Sequence, residues 1–404
     1  MMRKVARRLP VLALVFCILS GLLLLPVLSE RAEAQSYNDL ALKAVQFNHQ
    51  AYMNGTQLDA YDAYVLTLAG ANVSSWVYQS KSLKDAVIES VYTTLENPAG
   101  VSAKQVAYQL LVTDHWGYDN LSDQLANILG ERQQADGSFD NNIYSDIPAY
   151  EALARAGKIT VVNATCARQY LLSTQCTVAG ETYGAWAGPW GPDFVSTAQA
   201  IRALTYLPGA AGDAQIQKAI TDGLAWMQKQ QQVDGSVYVT TPWPDDPLID
   251  TAETIFTLKA LGTDPATWKS SQGKTPVDWM VEKALNDDGS FGACKNVMDA
   301  TWALYTYLLL GNSIPTPSAP VGLNVIPVTA TVSVGDTLQY QAMVQYFNGL
   351  NSDVTGEALW TAADETVASV YRGLAKGLRA GQTMISAVYG GLTGSATLTV
   401  TAVN

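Results

Sequence analysis

The feature that most constrains this chain is a turn built on glycine that recurs six times: Asn54-Gly55-Thr56, Ala99-Gly100, Asp136-Gly137-Ser138-Phe139, Tyr183-Gly184-Ala185-Trp186, Asp234-Gly235-Ser236-Val237 and Asp288-Gly289-Ser290-Phe291. The glycines stand 45, 37, 47, 51 and 54 residues apart, a period that marks a repeat architecture. Each later turn follows an amphipathic helix, seen best in Ile216, Ile220, Leu224 and Met227, which form one apolar stripe. Each also precedes a second helix that is small and apolar around most of its circumference, such as 251–261 before Gly262 or 300–310 before Gly311. A helix of that kind needs cover on more than one side.

Asp-Gly suits a tight reversal because Gly tolerates positive φ and the Asp carboxylate accepts backbone hydrogen bonds. Six such helix pairs cannot each bury a core alone. Stacked with the apolar helices inside, they are expected to close into a ring of six plus six around an apolar hollow. An open solenoid is the rival arrangement, and periodicity does not separate the two. Gln133-x-x-Asp136-Gly137-x-Phe139 and Gln231-x-x-Asp234-Gly235-x-Val237 resemble the QW-type repeats of the terpenoid cyclase and protein prenyltransferase superfamily. The resemblance covers residues 37–312 and implies an all-α (α/α)6 toroid, with Phe or Val where the family prefers Trp.

Residues 1–34 read as an export signal. Arg3, Lys4, Arg7 and Arg8 precede an apolar run from Val11 to Leu28, and Ala32-Glu33-Ala34 offers a cleavage site. The run would be long enough for an uncleaved anchor, but Gly21 and Pro26 interrupt it, and the expected mature chain begins at Gln35. The whole chain carries a formal charge of −12, and loss of the basic leader makes it more acidic. A phosphate-tracking nucleic-acid binder is not expected. In an oxidising compartment Cys166 and Cys176 are the candidate disulfide, with two unpaired thiols as the alternative, and Cys294 is left without a partner.

The superfamily's chemistry carries over poorly. Squalene-hopene-type cyclases protonate an alkene with an Asp in a D-x-D-D-T-A motif. The matching segment here, Pro247-Leu248-Ile249-Asp250-Thr251-Ala252, keeps the last Asp, Thr and Ala but places Ile249 where the central acid would stand. Asp246, Asp250 and Glu253 are the candidate acids of an enzyme reading. The favoured reading makes Asp250 a helix N-cap and Glu253 its capping-box partner. Protein prenyltransferases hold zinc with Asp, Cys and His. The stretch from Gly289 through Cys294 to Trp302 resembles that region, yet Trp302 occupies the histidine's place, so no metal or cofactor is expected. The only histidines, His49 and His115, read as structural or solvated.

The aromatic segment Tyr183, Trp186, Trp190 and Phe194, with Trp243 in the next connection, is the candidate ligand site. On one rim of a toroid these rings would surround the mouth of the hollow and suit an apolar, planar or glycan ligand. Packing between repeats is the alternative.

Residues 313–322 form a proline-rich joint, after which helical periodicity stops and short alternating strands begin. Val332-Ser-Val-Gly-Asp336, Trp360-Thr-Ala-Ala-Asp364, Val367-Ala-Ser-Val370 and 381–391 resemble the bacterial Ig-like group 2 family. The resemblance implies an all-β Ig-like sandwich over 323–404, Trp360 as its core tryptophan, and a secreted or cell-surface protein. The expected function is a non-catalytic toroid that binds such a ligand or a cell-envelope component, touching membrane only through an uncleaved leader. Transcobalamin-type carriers are the superfamily's precedent for a toroid without catalysis. A divergent cyclase-like or carbohydrate-active enzyme is the alternative.

Overall fold

The computed structural model describes residues 37–241, 244–311, 320–346, 351–389 and 391–402. The leader 1–34, Trp243 and most of the joint lie outside the described residues. The helices are α1 (37–53), α2 (Ala60–Leu68), α3 (Leu83–Glu96), α4 (Ala103–His115), α5 (Asp119–Arg132), α6 (Ile143–Arg155), α7 (Ala164–Ser173), α8 (Phe194–Tyr206), α9 (Ala214–Lys229), α10 (Pro247–Ala260), α11 (Pro276–Lys283) and α12 (Val297–Leu310).

The even-numbered helices pack side by side in sequence, and α12 returns to pack against α2. The ring is therefore closed and the open solenoid is excluded. The odd-numbered helices lie outside: α3 against α2 and α4, α5 against α4, α7 and α9 against α8, and α11 against α10. This order follows from composition. Every residue of α10 from Leu248 to Leu258 is buried, as a helix apolar on all sides requires, whereas α9 buries only the stripe around Ile216, Ile220 and Met227.

The glycine turns join one repeat to the next. At Gly137 (φ 91°) an added Cβ would stand 2.3 Å from the Cys166 carbonyl on α7, and at Gly235 (φ 96°) 2.4 Å from the carbonyl of Thr275, the N-cap residue of α11. Only glycine lets the following outer helix approach so closely. The acids beside them tie the turns: Asp136 Oδ1 accepts from the Ser138 N–H at 2.9 Å, and Asp234 Oδ1 from the Ser236 N–H at 3.1 Å. The repeat glutamines complete the clamp. Gln133 accepts from Asn163 N, the cap of α7, at 2.7 Å, and Gln231 donates to the Trp268 carbonyl at 3.1 Å. Gln175, outside the patterns read from the sequence, plays the same part by donating to the Ala219 carbonyl of α9 at 2.9 Å.

Ring closure has its own polar joint. Asn48 on α1 donates to Thr301 Oγ1 of α12 at 3.3 Å, and Thr301 donates to Asp62 of α2 at 2.6 Å.

From residue 320 the described chain is built of strands: β5 (Pro320–Ile326), β6 (Thr329–Ser333), β7 (Thr337–Gln339), β8 (Gln341–Tyr346), β9 (Asn351–Asp353), β10 (Leu359–Ala362), β11 (Ala368–Tyr371), β12 (Leu374–Gly377), β13 (Gly381–Tyr389) and β14 (Leu392–Thr401). Four short strands precede them in the helical region, paired as hairpins: β1 (Val77–Tyr78) with β2 (Lys81–Ser82), and β3 (Ala187–Gly188) with β4 (Gly191–Pro192). The later strands form sheets of order β10-β13-β14-β6, β11-β12-β7 and β5-β8-β9, antiparallel except where β14 runs parallel to β6. Alternation puts Ile385, Ala387, Ala396, Leu398 and Val400 into one core. Trp360 is buried there, its indole donating to the Thr355 carbonyl at 2.9 Å.

Thr301→Val should cost about 1–3 kcal/mol, because it strips partners from a buried amide and a buried carboxylate. Thr306→Val, which removes only a bond to the Trp302 carbonyl within α12, should cost less. Urea unfolding of the two variants measures the difference, and equal losses would deny the joint its role.

Candidate functional site

The axis of the ring is filled by a polar and aromatic network, which corrects the expectation of an apolar hollow. Arg202 on α8 donates through Nε to Glu151 Oε1 of α6 at 2.7 Å and through Nη2 to Oε2 at 3.0 Å. The same guanidinium pairs with Glu253 Oε2 of α10 at 2.7 Å and donates to Thr257 Oγ1 at 2.9 Å. Glu253 also accepts from the Trp302 indole at 2.9 Å. Arg155 lies over the rings of Tyr64 and Tyr305 and donates to both hydroxyls, at 3.1 and 2.8 Å. Tyr61 packs on Tyr108 and Trp302 at centroid distances of 4.7 and 5.0 Å. Two arginines and two glutamates balance one another, as buried charges must. The cavity beside them, between Tyr61, Arg155, Tyr206 and Tyr305, has a volume of about 150 Å³.

These contacts reassign the three candidate acids. Asp246, not Asp250, is the N-cap of α10, its carboxylate accepting from Leu248 N at 2.8 Å; Pro247 starts the helix one turn earlier than the expected cap required. Glu253 faces the axis rather than closing a capping box. Burial raises its pKa and the Arg202 charge opposes the rise. Asp250 is buried in the first turn, where its carboxylate accepts a long 3.4 Å bond from Val239 N. Burial, then the nearby charges of Asp245 and Asp193, push its pKa well above the usual carboxylate range. Thr251 accepts from Val237 N at 3.0 Å, just as Thr197 accepts from Trp186 N at 2.9 Å in the preceding repeat.

A buried aspartate also opens α2, α6 and α12, at Asp62, Asp146 and Asp299. Asp146 accepts from two backbone N–H groups and from Tyr170 Oη. Asp62 accepts from Asp59 N and Thr301, and burial with the neighbouring Asp59 charge pushes its pKa up to about 7. Asp299 meets Asp246 and Cys294 on the same rim, the one trio of metal-ligating type among the described residues.

The aromatic segment does not stay together. Trp186 and Phe194 are completely buried, Trp186 in the position that Phe139, Val237 and Phe291 take in other repeats. Neither ring has a face open to a ligand. Tyr183 turns to the outer surface and donates to Asp222 at 2.8 Å, lining a groove of about 680 Å³ between α7 and α9. Trp190, at the tip of the β3–β4 hairpin, is 90% exposed. Cys166 and Cys176 are free thiols rather than a disulfide. The helical rise of α7 carries the chain roughly 10 Å from Cys166 by its last turn, so a bridge would need Cys176 to fold back along the helix. His49 packs on Trp76 and His115 on Tyr64, and burial lowers both pKa values.

On the rim where the inner helices begin, a pocket of about 630 Å³ lies between α2, α3 and α4. Tyr52 and Tyr108 line it with Asp59, Ser90, Lys104, Gln105 and Gln109. Gln109 is buried and its Oε1 accepts no hydrogen bond. Sequence reasoning missed this pocket because its residues come from three repeat elements with no motif among them.

Comparison with known proteins identifies a family for the strand-built part of the chain. Residues 322–400 match the family "Bacterial Ig-like domain (group 2)". Ice-binding protein 1 of Shewanella frigidimarina is 38% identical over 78 residues, 19% of this chain and 9% of that protein. Three structures of a type II terpene cyclase from Scytonema align over 70% of this chain. One holds merosterolic acid A (15% identity, TM-score 0.47, 99% of that chain). Two hold geranylgeranyl dihydroxybenzoate (15 and 16% identity, TM-scores 0.45 and 0.47, 99 and 98% of those chains). The toroid assignment rests on the closed ring of helices itself.

Two outcomes follow. Arg202→Met leaves two buried glutamates facing each other and should destabilise the toroid by about 3–5 kcal/mol, read from chemical denaturation. Asp62 has a folded pKa of about 7 against an ordinary value of 3.8. Its folded state thus holds the proton more tightly, so its contribution is full below pH 4 and is lost as pH rises through 7. The stability of Asp62→Asn relative to wild type should therefore rise across that window, by at most about 1.4 kcal/mol per pH unit. A flat difference would show that Asp62 titrates normally.

Proposed function

We propose that this is an exported protein that acts outside the cell as a non-catalytic binding module, its toroid presenting a ligand site on the rim and its Ig-like domain serving as a spacer. The observation that carries this reading is the filled axis. A cavity of about 150 Å³ does not accommodate a polyprene, whereas ligand pockets run to about 300–1,000 Å³. The rim pocket has that capacity, and its two tyrosines with neighbouring amide and hydroxyl groups suit a glycan. Export is supported by the leader and by the Ig-like family match. The Shewanella protein's name describes that protein. A shared segment of 9% of its length does not extend ice binding to this chain.

An enzyme reading has one observation in its favour, the raised pKa of buried Asp250 beside Asp245. Against it, Asp246 caps α10 through Oδ1 and Glu253 is locked to Arg202.

The test is to incubate the mature chain with cell-wall glycans, cobalamins and squalene-like polyprenes, following bound mass and product separately. Saturable glycan binding without product is expected, weakened about tenfold by Gln105→Ala, where the exposed amide borders the pocket. Turnover that disappears in Asp250→Asn would overturn the reading. The exposed Trp190 is a second contact on the same rim, and Trp190→Ala should weaken binding to large glycans more than to short ones.

A further inference from the structure

The aspartates that open four of the inner helices are not equally accounted for. Asp146, Asp62 and Asp250 each accept from the protein. Asp299 does not: it is completely buried, yet neither carboxylate oxygen accepts a hydrogen bond. The backbone N–H groups of Cys294, Lys295 and Asn296 lie near it without reaching hydrogen-bonding geometry. An ionisable group so placed costs free energy unless a partner arrives.

The neighbouring groups identify the partner. A carboxylate oxygen of Asp246, the Cys294 sulfur and a carboxylate oxygen of Asp299 lie within 4.8 Å of one another. Cys294 Sγ stands 3.4 Å from Asp246 Oδ2. The nearby cation, Lys295, is turned away and paired with Asp288 at 2.7 Å. Gly292 (φ 65°) makes room for the carboxylate, since a Cβ there would stand 2.5 Å from Asp299 Oδ2. The site thus combines negative charge, a thiol and a buried acceptor with no cation of its own.

We propose that Asp246, Cys294 and Asp299 bind a divalent transition-metal ion, with zinc the best fit. Magnesium and calcium prefer oxygen donors alone, whereas zinc accepts thiolate and carboxylate together in a tetrahedron. Bonds of about 2.0–2.3 Å give tetrahedral edges of about 3.5 Å, so side-chain adjustments of about 1 Å close the set. On binding, the Cys294 thiol releases its proton to solvent and the thiolate joins the two carboxylates as ligands. Cys294 is exposed, which leaves the fourth position to water. The ligands differ from those implied by the prenyltransferase resemblance, in which Trp302 takes the histidine's place; Trp302 is committed to Glu253 on the axis. The ion would staple the turn before α10 to the turn before α12.

Cobalt titration of the reduced, full-length mature chain tests this. One equivalent should produce a near-ultraviolet sulfur-to-cobalt band with tetrahedral visible bands, and one equivalent of zinc should bleach them and raise the melting temperature. Cys294→Ser, Asp299→Asn and Asp246→Asn should each weaken binding at least tenfold, while Cys166→Ser with Cys176→Ser should leave it unchanged. Asp246→Asn retains a good N-cap, and circular dichroism confirms that each variant folds. Absence of the sulfur band, its survival in Cys294→Ser, or binding indifferent to both aspartate changes would mean an adventitious surface ion only and overturn the proposal.

Discussion

The interaction on which the rest of the toroid depends is the grip of Arg202 on Glu151 and Glu253. One guanidinium on α8 ties the helices on both sides of it, and it does so at the centre, where a ring of six helices would otherwise leave a gap. Its planar fork satisfies two carboxylates at once, which a lysine's point charge does not. Arg155 extends the network to Tyr64 and Tyr305, so that α2, α6, α8, α10 and α12 all contribute polar groups. Such a centre gains less stability than an apolar plug of the same volume would. It fixes the rotation of α6, α8 and α10, because any one of them turned by a residue would strand a buried charge.

The architecture was legible in the sequence because its determinants are local. The glycine turns need a residue without a Cβ where the next outer helix comes close, and the inner helices need small apolar residues all round. Both needs write themselves into every repeat. Gln133 and Gln231 were visible for the same reason, and the strands after the joint showed themselves by alternation. The centre was not legible. Glu151 and Arg202 are 51 residues apart, and Arg202 and Glu253 another 51, with nothing near either to mark it. An arginine in an apolar helix reads as an isolated polar residue until the ring brings its partners round. The aromatic segment failed for the opposite reason. Trp186 looked like a loop residue because glycines surround it, yet those glycines are what lets the repeat's own tryptophan reach the core.

The rim has a physical logic that the separate residues do not disclose. All inner helices run the same way, so their N-termini gather at one end of the ring, and the partial positive charge there favours carboxylates. Asp59, Asp193 and Asp246 serve as caps, and Asp62, Asp146, Asp250 and Asp299 sit a turn further in. Acids accumulate at this end for structural reasons, which is why a buried aspartate there is weak evidence for catalysis. What distinguishes one from another is the supply of donors. Asp146 has three, and Asp299 has none in hydrogen-bonding geometry.

That distinction bears on how far motif letters carry chemistry. Asp250-Thr251-Ala252 retains half of the cyclase motif, and each retained residue has a structural reason to be there. Thr251 ties the Val237 turn, Ala252 packs without exposure inside the ring, and Asp250 belongs to the series of first-turn acids. Two positions differ: Pro247 stands where the first Asp would be, and Ile249, which is also buried and offers no proton, where the central acid would be. Selection on fold alone would keep the same three letters and release the other two. Each retained letter is therefore accounted for by the fold, and a catalytic reading has to rest on Asp250 itself, in the first turn of α10 at the rim.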